Sequence, residues 1–375
     1  MIYFDNAATG GFKPSAVVDS ITNSIRYINA NAGRSGHRLS VSAGMNILHA
    51  REAICEFFGG ESPDRVIFTK NCTEALNIAI FGCIEKDSHI ISTVTEHNSV
   101  LRPLTYLKNK GDITLSLADI DENGRILPQS VISLINENTK VIIINLVSNV
   151  TGNYTDIKTI SDFIKDKNII LICDAAQAAG HIELNITELN IDVLCVAGHK
   201  GMCGVQGSSC LVFNKKTDIK PFMFGGTGSE SFNLNQPSVY PERLECGTLN
   251  YPAILSLYEG TVYVKRNIQS FSRTLKSLTN ELIEGLKRIN NIEIFSEPNP
   301  CGIVSFRHLT MQSEEIAYIL SEKYDIAVRG GLHCAPLIHK ALGTDSGGLV
   351  RVSLCPHNKY GEIMAFLAAI KDITA

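Results

Sequence analysis

The chain has 375 residues, 44% hydrophobic and 19% charged, with a formal net charge of −4. That length exceeds one ordinary core, so a large domain with a smaller one is expected. The near-neutral balance, without any basic run interleaved with aromatics, gives no electrostatic reason to bind nucleic acid or a membrane surface.

The first residues, Met1-Ile2-Tyr3-Phe4-Asp5, carry no basic or long apolar leader, and the longest apolar runs, such as Val141 to Leu146, are too short to cross a bilayer. A cytoplasmic protein is expected. Short β-branched runs then alternate with amphipathic stretches, the rhythm of βαβ units in a mainly parallel sheet. The predicted strands are Arg65 to Thr69, His89 to Val94, Ile113 to Leu117, Val141 to Val147, Ile169 to Asp174, Asp192 to Ala197 and Ser209 to Phe213. Asn71-Cys72-Thr73-Glu74-Ala75-Leu76 follows the first of these and opens a helical pattern. Its unpaired amides and the Thr73 hydroxyl suit both an N-cap and a phosphate. Ligands of open α/β sheets bind beyond the carboxyl ends of the strands, and His97, Asn149, Asp174 and Lys200 all follow predicted strand ends.

From Glu230 to Gly247 the chain turns polar and irregular, which reads as a long functional loop. A helical pattern from Ala253 to about Arg288 is expected to link two domains. Strand-like Gly302 to Phe306 and helix-like Ser313 to Tyr324 and Lys359 to Ile373 complete an α+β cap. The expected division is residues 1–252 as the large domain and 253–375 as the linking helix and small domain, with the N-terminal segment up to about Ser15 packing on the small domain.

Eleven cysteines, an odd number without a Cys-x-x-Cys pair, argue against a disulfide framework, and no metal site is expected. Cys55, Cys83, Cys173, Cys195 and Cys210 lie in apolar stretches and read as small buried hydrophobes. Cys334 differs, because Arg329-Gly330-Gly331-Leu332-His333-Cys334-Ala335-Pro336 is polar and glycine-rich.

Lys200, in Ala197-Gly198-His199-Lys200-Gly201, stands beyond a strand that Asp174 closes, Leu171-Ile172-Cys173-Asp174-Ala175-Ala176-Gln177. Pyridoxal phosphate needs a lysine amine for its Schiff base and an acid to keep its ring nitrogen protonated. A plain salt bridge between the two loops is the other reading of this pair.

Taken in order, Asp5-Asn6-Ala7-Ala8-Thr9, Thr73, Glu96-His97, Asn149, Asp174-x-x-Gln177, His199-Lys200, Glu245-Cys246-Gly247-Thr248, Arg329 through Cys334 and Arg351-Val352-Ser353 widen the pattern. The set resembles the class V aminotransferase family of fold-type I pyridoxal phosphate enzymes, in its cysteine desulfurase and selenocysteine lyase branch, from Tyr3 to about Asn358. The resemblance implies an α/β fold with a mainly parallel seven-stranded sheet and a smaller α+β C-terminal domain. It implies pyridoxal phosphate bound by Lys200, with Asp174 at the ring nitrogen, Gln177 at the phenolic oxygen and His97 stacked on the ring. Cys72, Thr73 and His199 would complete the cofactor site, the last two at the phosphate, and Thr248 would enter from the neighbouring subunit of a homodimer.

The substrate side would use Arg351 as a bidentate carboxylate partner, with Asn149, Asn6 and Ala7 close by. Lys200 would act as general base at Cα. Cys334 would attack the Sγ of L-cysteine as a thiolate, leaving a persulfide on the enzyme and alanine as product, with His333 or the cofactor site favouring deprotonation. The short interval from Cys334 to Arg351 is similar to group II cysteine desulfurases, and its limited reach implies a dedicated sulfur-acceptor protein. The persulfide would feed iron–sulfur clusters or other thio-cofactors.

Two departures stand out. Position 197 is alanine where many relatives carry a phosphate-binding serine, a loss that Thr73 or Gly225-Gly226-Thr227-Gly228-Ser229 would offset. Gly330-Gly331-Leu332-His333 replaces the extra histidine and threonine common before the nucleophile, which leaves the substrate side chain's surroundings open. The alternatives are a selenocysteine lyase acting on L-selenocysteine, another pyridoxal phosphate-dependent lyase or aminotransferase, and a non-catalytic scaffold. Retention of Lys200, Asp174, Gln177 and Arg351 together opposes the scaffold.

Overall fold

The computed structural model describes residues 1–33 and 35–374. Eight strands precede a 36-residue helix, Tyr251–Leu286. They are β1 (Ile2–Tyr3), β2 (Val66–Thr69), β3 (Ser88–Thr93), β4 (Ile113–Ala118), β5 (Thr139–Asn145), β6 (Ile170–Asp174), β7 (Val193–Ala197) and β8 (Ser209–Phe213). After the helix come β9 (Ile292–Ile294), β10 (Ile303–His308), β11 (Ile326–Ala327) and β12 (Val350–Ser353).

The large sheet has seven strands in the order β2-β8-β7-β6-β5-β3-β4, and β8 alone runs against the rest. All seven predicted strands are present. The fourth of them, β5, starts earlier than Val141 and stops at Asn145, because the Leu146 amide turns to the Asp174 carbonyl and Val147 leaves for an isolated bridge with Tyr154. Both faces of the sheet are covered, which is why β5 reads as a continuous β-branched run. Ile142 and Ile144 face a core shared with helix Arg38–Phe57, while Val141 and Ile143 face one shared with helices Cys72–Cys83 and Asn98–Lys110. Each fully buried aliphatic side chain here contributes about 1.5–3 kcal/mol.

Helix Tyr251–Leu286 joins two cores. Its first turns place Tyr251, Ile254 and Leu257 against the large sheet, and its last turns place Leu275, Leu278, Leu282 and Leu286 in a second core. That second core covers the antiparallel sheet β12-β10-β9 and includes Phe4 from the N-terminus. Strand β1 pairs in parallel with β11, and Asp5 bridges to Ser353 at the end of β12. The first residues of the chain are therefore stitched to its last strands, and this seam lies beside the carboxyl edge of the large sheet.

Candidate active site

At the carboxyl edge, the turns after β3, β5, β6 and β7 bring His97, Asn149, Asp174 and Lys200 into one pocket. Thr73, Gln177 and His199 line it too, and Ala7, Arg329, His333 and Arg351 close it from the seam side. Residues scattered over most of the sequence thus meet at one place.

Asp174 ends β6 and is buried. Its Oδ1 accepts the Ala176 amide at 2.8 Å and lies 3.7 Å from the Cys72 sulfur. Burial pushes this carboxyl up, while the Ala176 amide and the Lys200 charge pull it back. Burial also pushes the Cys72 thiol well above its ordinary range, so that it stays protonated as a weak donor to Asp174. The Lys200 amine is driven down by burial and partly restored by Asp174. Among the described residues nothing hydrogen-bonds the Lys200 amine.

His97 is the N-cap of helix Asn98–Lys110, and its Nδ1 accepts the Ser99 amide at 3.0 Å. Nε2 then carries the ring hydrogen. Burial, followed by the Lys200 and Arg329 charges, pushes His97 down to about 4, so a neutral ring faces the pocket. His199 is pushed down to about 4 by burial, Lys200 and Lys13, with Nδ1 3.1 Å from the Thr9 hydroxyl. Asn71 caps helix Cys72–Cys83 by accepting the Glu74 amide at 2.9 Å, which leaves the first-turn amides and Thr73 at the pocket wall for an anion.

Arg351 is almost wholly buried. Its Nη2 contacts Asp5 Oδ1 at 3.0 Å and its Nη1 donates to the Asn149 carbonyl at 3.0 Å. Its Nε and the side-chain oxygen of Asn149 are buried without a partner among the described residues. Unpaired buried polar atoms are costly, and both residues line the pocket, so a polar ligand bound there has these groups within its wall. Arg329 pairs backbone to backbone with Arg351 (2.8 and 3.2 Å) and adds a second guanidinium.

Not every expected residue joins the pocket. Asn6 does not line it. Its amide instead donates to the Ser353 carbonyl at 2.9 Å and accepts the Gly11 amide at 3.0 Å, bracing the turn that presents Ala7. Gln177 donates to the Ala7 carbonyl at 3.1 Å, keeping a second amide hydrogen for a ligand. Thr248 is exposed and lines a separate depression with Lys70 and Glu74. Segment Gly225 to Ser229 lies outside the pocket, so within one chain Thr73, not that segment, stands near Ala197.

Cys334 is exposed just outside, between the pocket residues Arg329 and Arg351 in sequence. It and His333 both adopt the left-handed conformation, φ 57° and 52°, which is strained for side chains of this size. Two hydrogen bonds hold them there, from the Asn98 amide to the Cys334 carbonyl (2.7 Å) and from the Asn149 amide group to the His333 carbonyl (2.8 Å). His333 turns away from the sulfur. Its ring is buried against His339, its Nε2 lies 3.3 Å from the Arg329 carbonyl, and burial holds it well below its ordinary value. The group at the sulfur is Arg329, whose Nη2 lies 3.7 Å away.

The donor set fits pyridoxal phosphate. A buried amine, a buried carboxyl, a neutral ring, a helix N-terminus and two guanidiniums match its aldehyde, ring nitrogen, ring face, phosphate and amino-acid partner in turn. A model of the family described as aminotransferase class-V matches residues 2–366. The chain belongs to the class V aminotransferase family.

Its relatives in that family include the probable cysteine desulfurase of Methanothermobacter thermautotrophicus, 30% identical over 99% of this chain and 94% of the relative. The probable cysteine desulfurase of Pyrococcus abyssi is 30% identical over 100% of this chain and 94% of its own length. Among solved structures, the apo cysteine desulfurase of Thermococcus onnurineus superposes with a TM-score of 0.93 at 30% identity, covering 100% of this chain and 94% of that one. The class V aminotransferase fold, fold-type I, is thereby established for this chain. Arg329, Asp5, Ser99 and Asn145 carried no assigned role in the sequence. Asp5 and Arg329 stood inside quoted motifs, and Asn145 is a lone amide inside an apolar run.

Proposed function

We propose that this protein is a pyridoxal phosphate-dependent cysteine desulfurase that converts L-cysteine to L-alanine and leaves a persulfide on Cys334. The observation that supports this most is the exposed Cys334 sulfur, tethered beside Arg329 at a pocket that sets Lys200 and Asp174 together. Lys200 would carry the cofactor, Asp174 would meet its ring nitrogen, Gln177 its phenolic oxygen, and Thr73 and His199 its phosphate. Bound there, the cofactor supplies an electron sink that makes the substrate Cα proton removable.

Arg351 Nε, an unpaired donor, and the remaining hydrogen of the Asn149 Nδ2 would take the substrate carboxylate, which orients Cα toward the Lys200 amine. Lys200, already deprotonated more easily than an exposed lysine, takes the Cα proton. The Cys334 thiolate attacks Sγ, the new S–S bond forms as the Cβ–Sγ bond breaks, and the carbon gains a proton to become alanine. Substrate and thiol together become alanine and persulfide, with no outside oxidant. The Arg329 guanidinium, 3.7 Å from the sulfur, sits beside the attacking group through this step.

Thr248, exposed and outside its own pocket, fits a homodimer in which it reaches the site of a second copy. Phe224, Phe232 and Leu234, exposed on the loop before it, supply apolar surface for that contact. The persulfide would pass to a sulfur-acceptor protein. The test measures alanine, sulfide and protein-bound persulfide with L-cysteine, with and without reductant. Equal alanine and persulfide without reductant, lost in Cys334→Ala, are expected. Conversion of an added 2-oxo acid into its own amino acid, with no persulfide formed, would instead identify an aminotransferase.

A further inference from the structure

Glu96, one residue before His97, is fully buried and has no part in the chemistry above. Its Oε1 accepts the Asn145 amide hydrogen at 2.9 Å and lies 2.7 Å from the Thr93 hydroxyl, while Oε2 has no partner among the described residues. Two oxygens at 2.7 Å need a hydrogen between them. Counting hydrogens along the network identifies its owner.

The Thr95 carbonyl is an acceptor only, so the group 2.6 Å from it must be the Asn145 Nδ2. This turns the Asn145 Oδ1, also an acceptor only, toward the Thr95 hydroxyl at 3.2 Å. The single hydroxyl hydrogen of Thr95 therefore lies on that contact. The 2.7 Å contact between the Thr93 and Thr95 hydroxyls must then use the hydrogen of Thr93. No hydroxyl hydrogen is left for the contact between Thr93 and Glu96.

We infer that Glu96 carries a proton, gives it to the Thr93 hydroxyl, and heads a one-way chain of hydrogen bonds through Thr95 to Asn145 that positions the wall of the pocket next to His97. Burial favours the same state, pushing Glu96 up to about 8 against the pull of the Asn145 amide. The titratable groups that face it are Asp174, which raises it further, and the Cys173 thiol, both on β6. Asn145 pairs in register with Asp174, so an ionised Glu96 would add a second negative charge close to the acid assigned to the ring nitrogen. A neutral acid ties β3 to β5 without that charge. The protonation state follows from the network alone, whereas its catalytic consequence rests on the proposed desulfurase reading.

Infrared difference spectra between the wild type and Glu96→Gln, with and without bound pyridoxal phosphate, test the proton directly. A protonated-carboxyl band present at pH 6, absent from Glu96→Gln and fading as the pH rises through about 8 is expected. A folded wild type without the band, or a band that survives Glu96→Gln, overturns the assignment. If Glu96→Gln does not fold, Thr93 variants decide. Thr93→Ser should keep the band in place and Thr93→Val should shift it to that of an acid without an acceptor, so an unmoved band in Thr93→Val overturns the chain. In the loaded enzyme, Glu96→Gln should lower kcat for alanine roughly 10–100-fold with KM nearly unchanged. An unchanged kcat together with a lost band would keep the proton and overturn the positioning role, independently of whether cysteine is the substrate.

Discussion

Arg351 shows how one side chain serves two purposes. Two of its nitrogens hold the N-terminal turn and the Asn149 loop, and the third is left for a ligand. Lysine has no planar fork to divide in this way. Arg351→Lys should raise the KM for L-cysteine about 10–100-fold, the loss of one to two charge-assisted hydrogen bonds, as measured by initial rates. Arg329 acts differently, as a cation beside the Cys334 sulfur. Arg329→Gln should slow alkylation of Cys334 by iodoacetamide severalfold near neutral pH, and an unchanged rate would show that the guanidinium does not assist the thiolate.

The segment from β11 to helix Pro336–Ala341 carries Cys334, the proposed nucleophile, and its first glycine is packed against a helix. A Cβ on Gly330 would meet the Ser313 carbonyl at 2.6 Å, where the segment crosses the start of helix Ser313–Tyr324, and Gly331 sits at φ 102°. The Ser313 hydroxyl, 3.0 Å from the Gly331 amide, secures this crossing. Gly330→Ala should therefore push the segment off the helix and cost about 1–3 kcal/mol in denaturant unfolding, with a fall in persulfide yield. At the other wall, Asn71→Ala removes the cap of helix Cys72–Cys83 and should cost about 1 kcal/mol while weakening cofactor retention.

Over the whole molecule, the site's buried groups give stability a defined pH dependence. His97 and His199 titrate near 4 when folded and near 6.5 when unfolded. Their depressed values mean that the unfolded chain binds protons first, so stability is full above about 6.5 and falls as the pH drops toward 4. Glu96 acts at the other side. Its folded value of about 8 lies above the ordinary carboxyl value, so the native state holds a proton the unfolded chain has lost, and stability falls as the pH rises from about 4.5 through 8. Denaturant midpoints across this range should rise and then fall, with the alkaline fall flattened in Glu96→Gln and the acid fall flattened in His97→Gln.

The seven strands of the large sheet were legible because each is a short β-branched run bounded by polar residues, and local pattern is enough to mark such a run. Lys200, Asp174, His97 and Asn149 were legible as site residues because a parallel sheet sends every strand's carboxyl end to one edge. Sequence alone thus determined the scaffold, the family resemblance and most of the polar residues at that edge. The tertiary structure decided which of them line one pocket and which serve as braces. Asp5 lies 346 positions from Arg351, and the pairing of β1 with β11 together with the bridge from Asp5 to Ser353 brings them together. The same seam turned Asn6 into a brace, and of the two expected neighbours of the Cys334 sulfur, His333 or the cofactor site, the structure sets Arg329 from the pocket wall beside it. Such contacts arise from strand register between distant segments, which no local periodicity encodes.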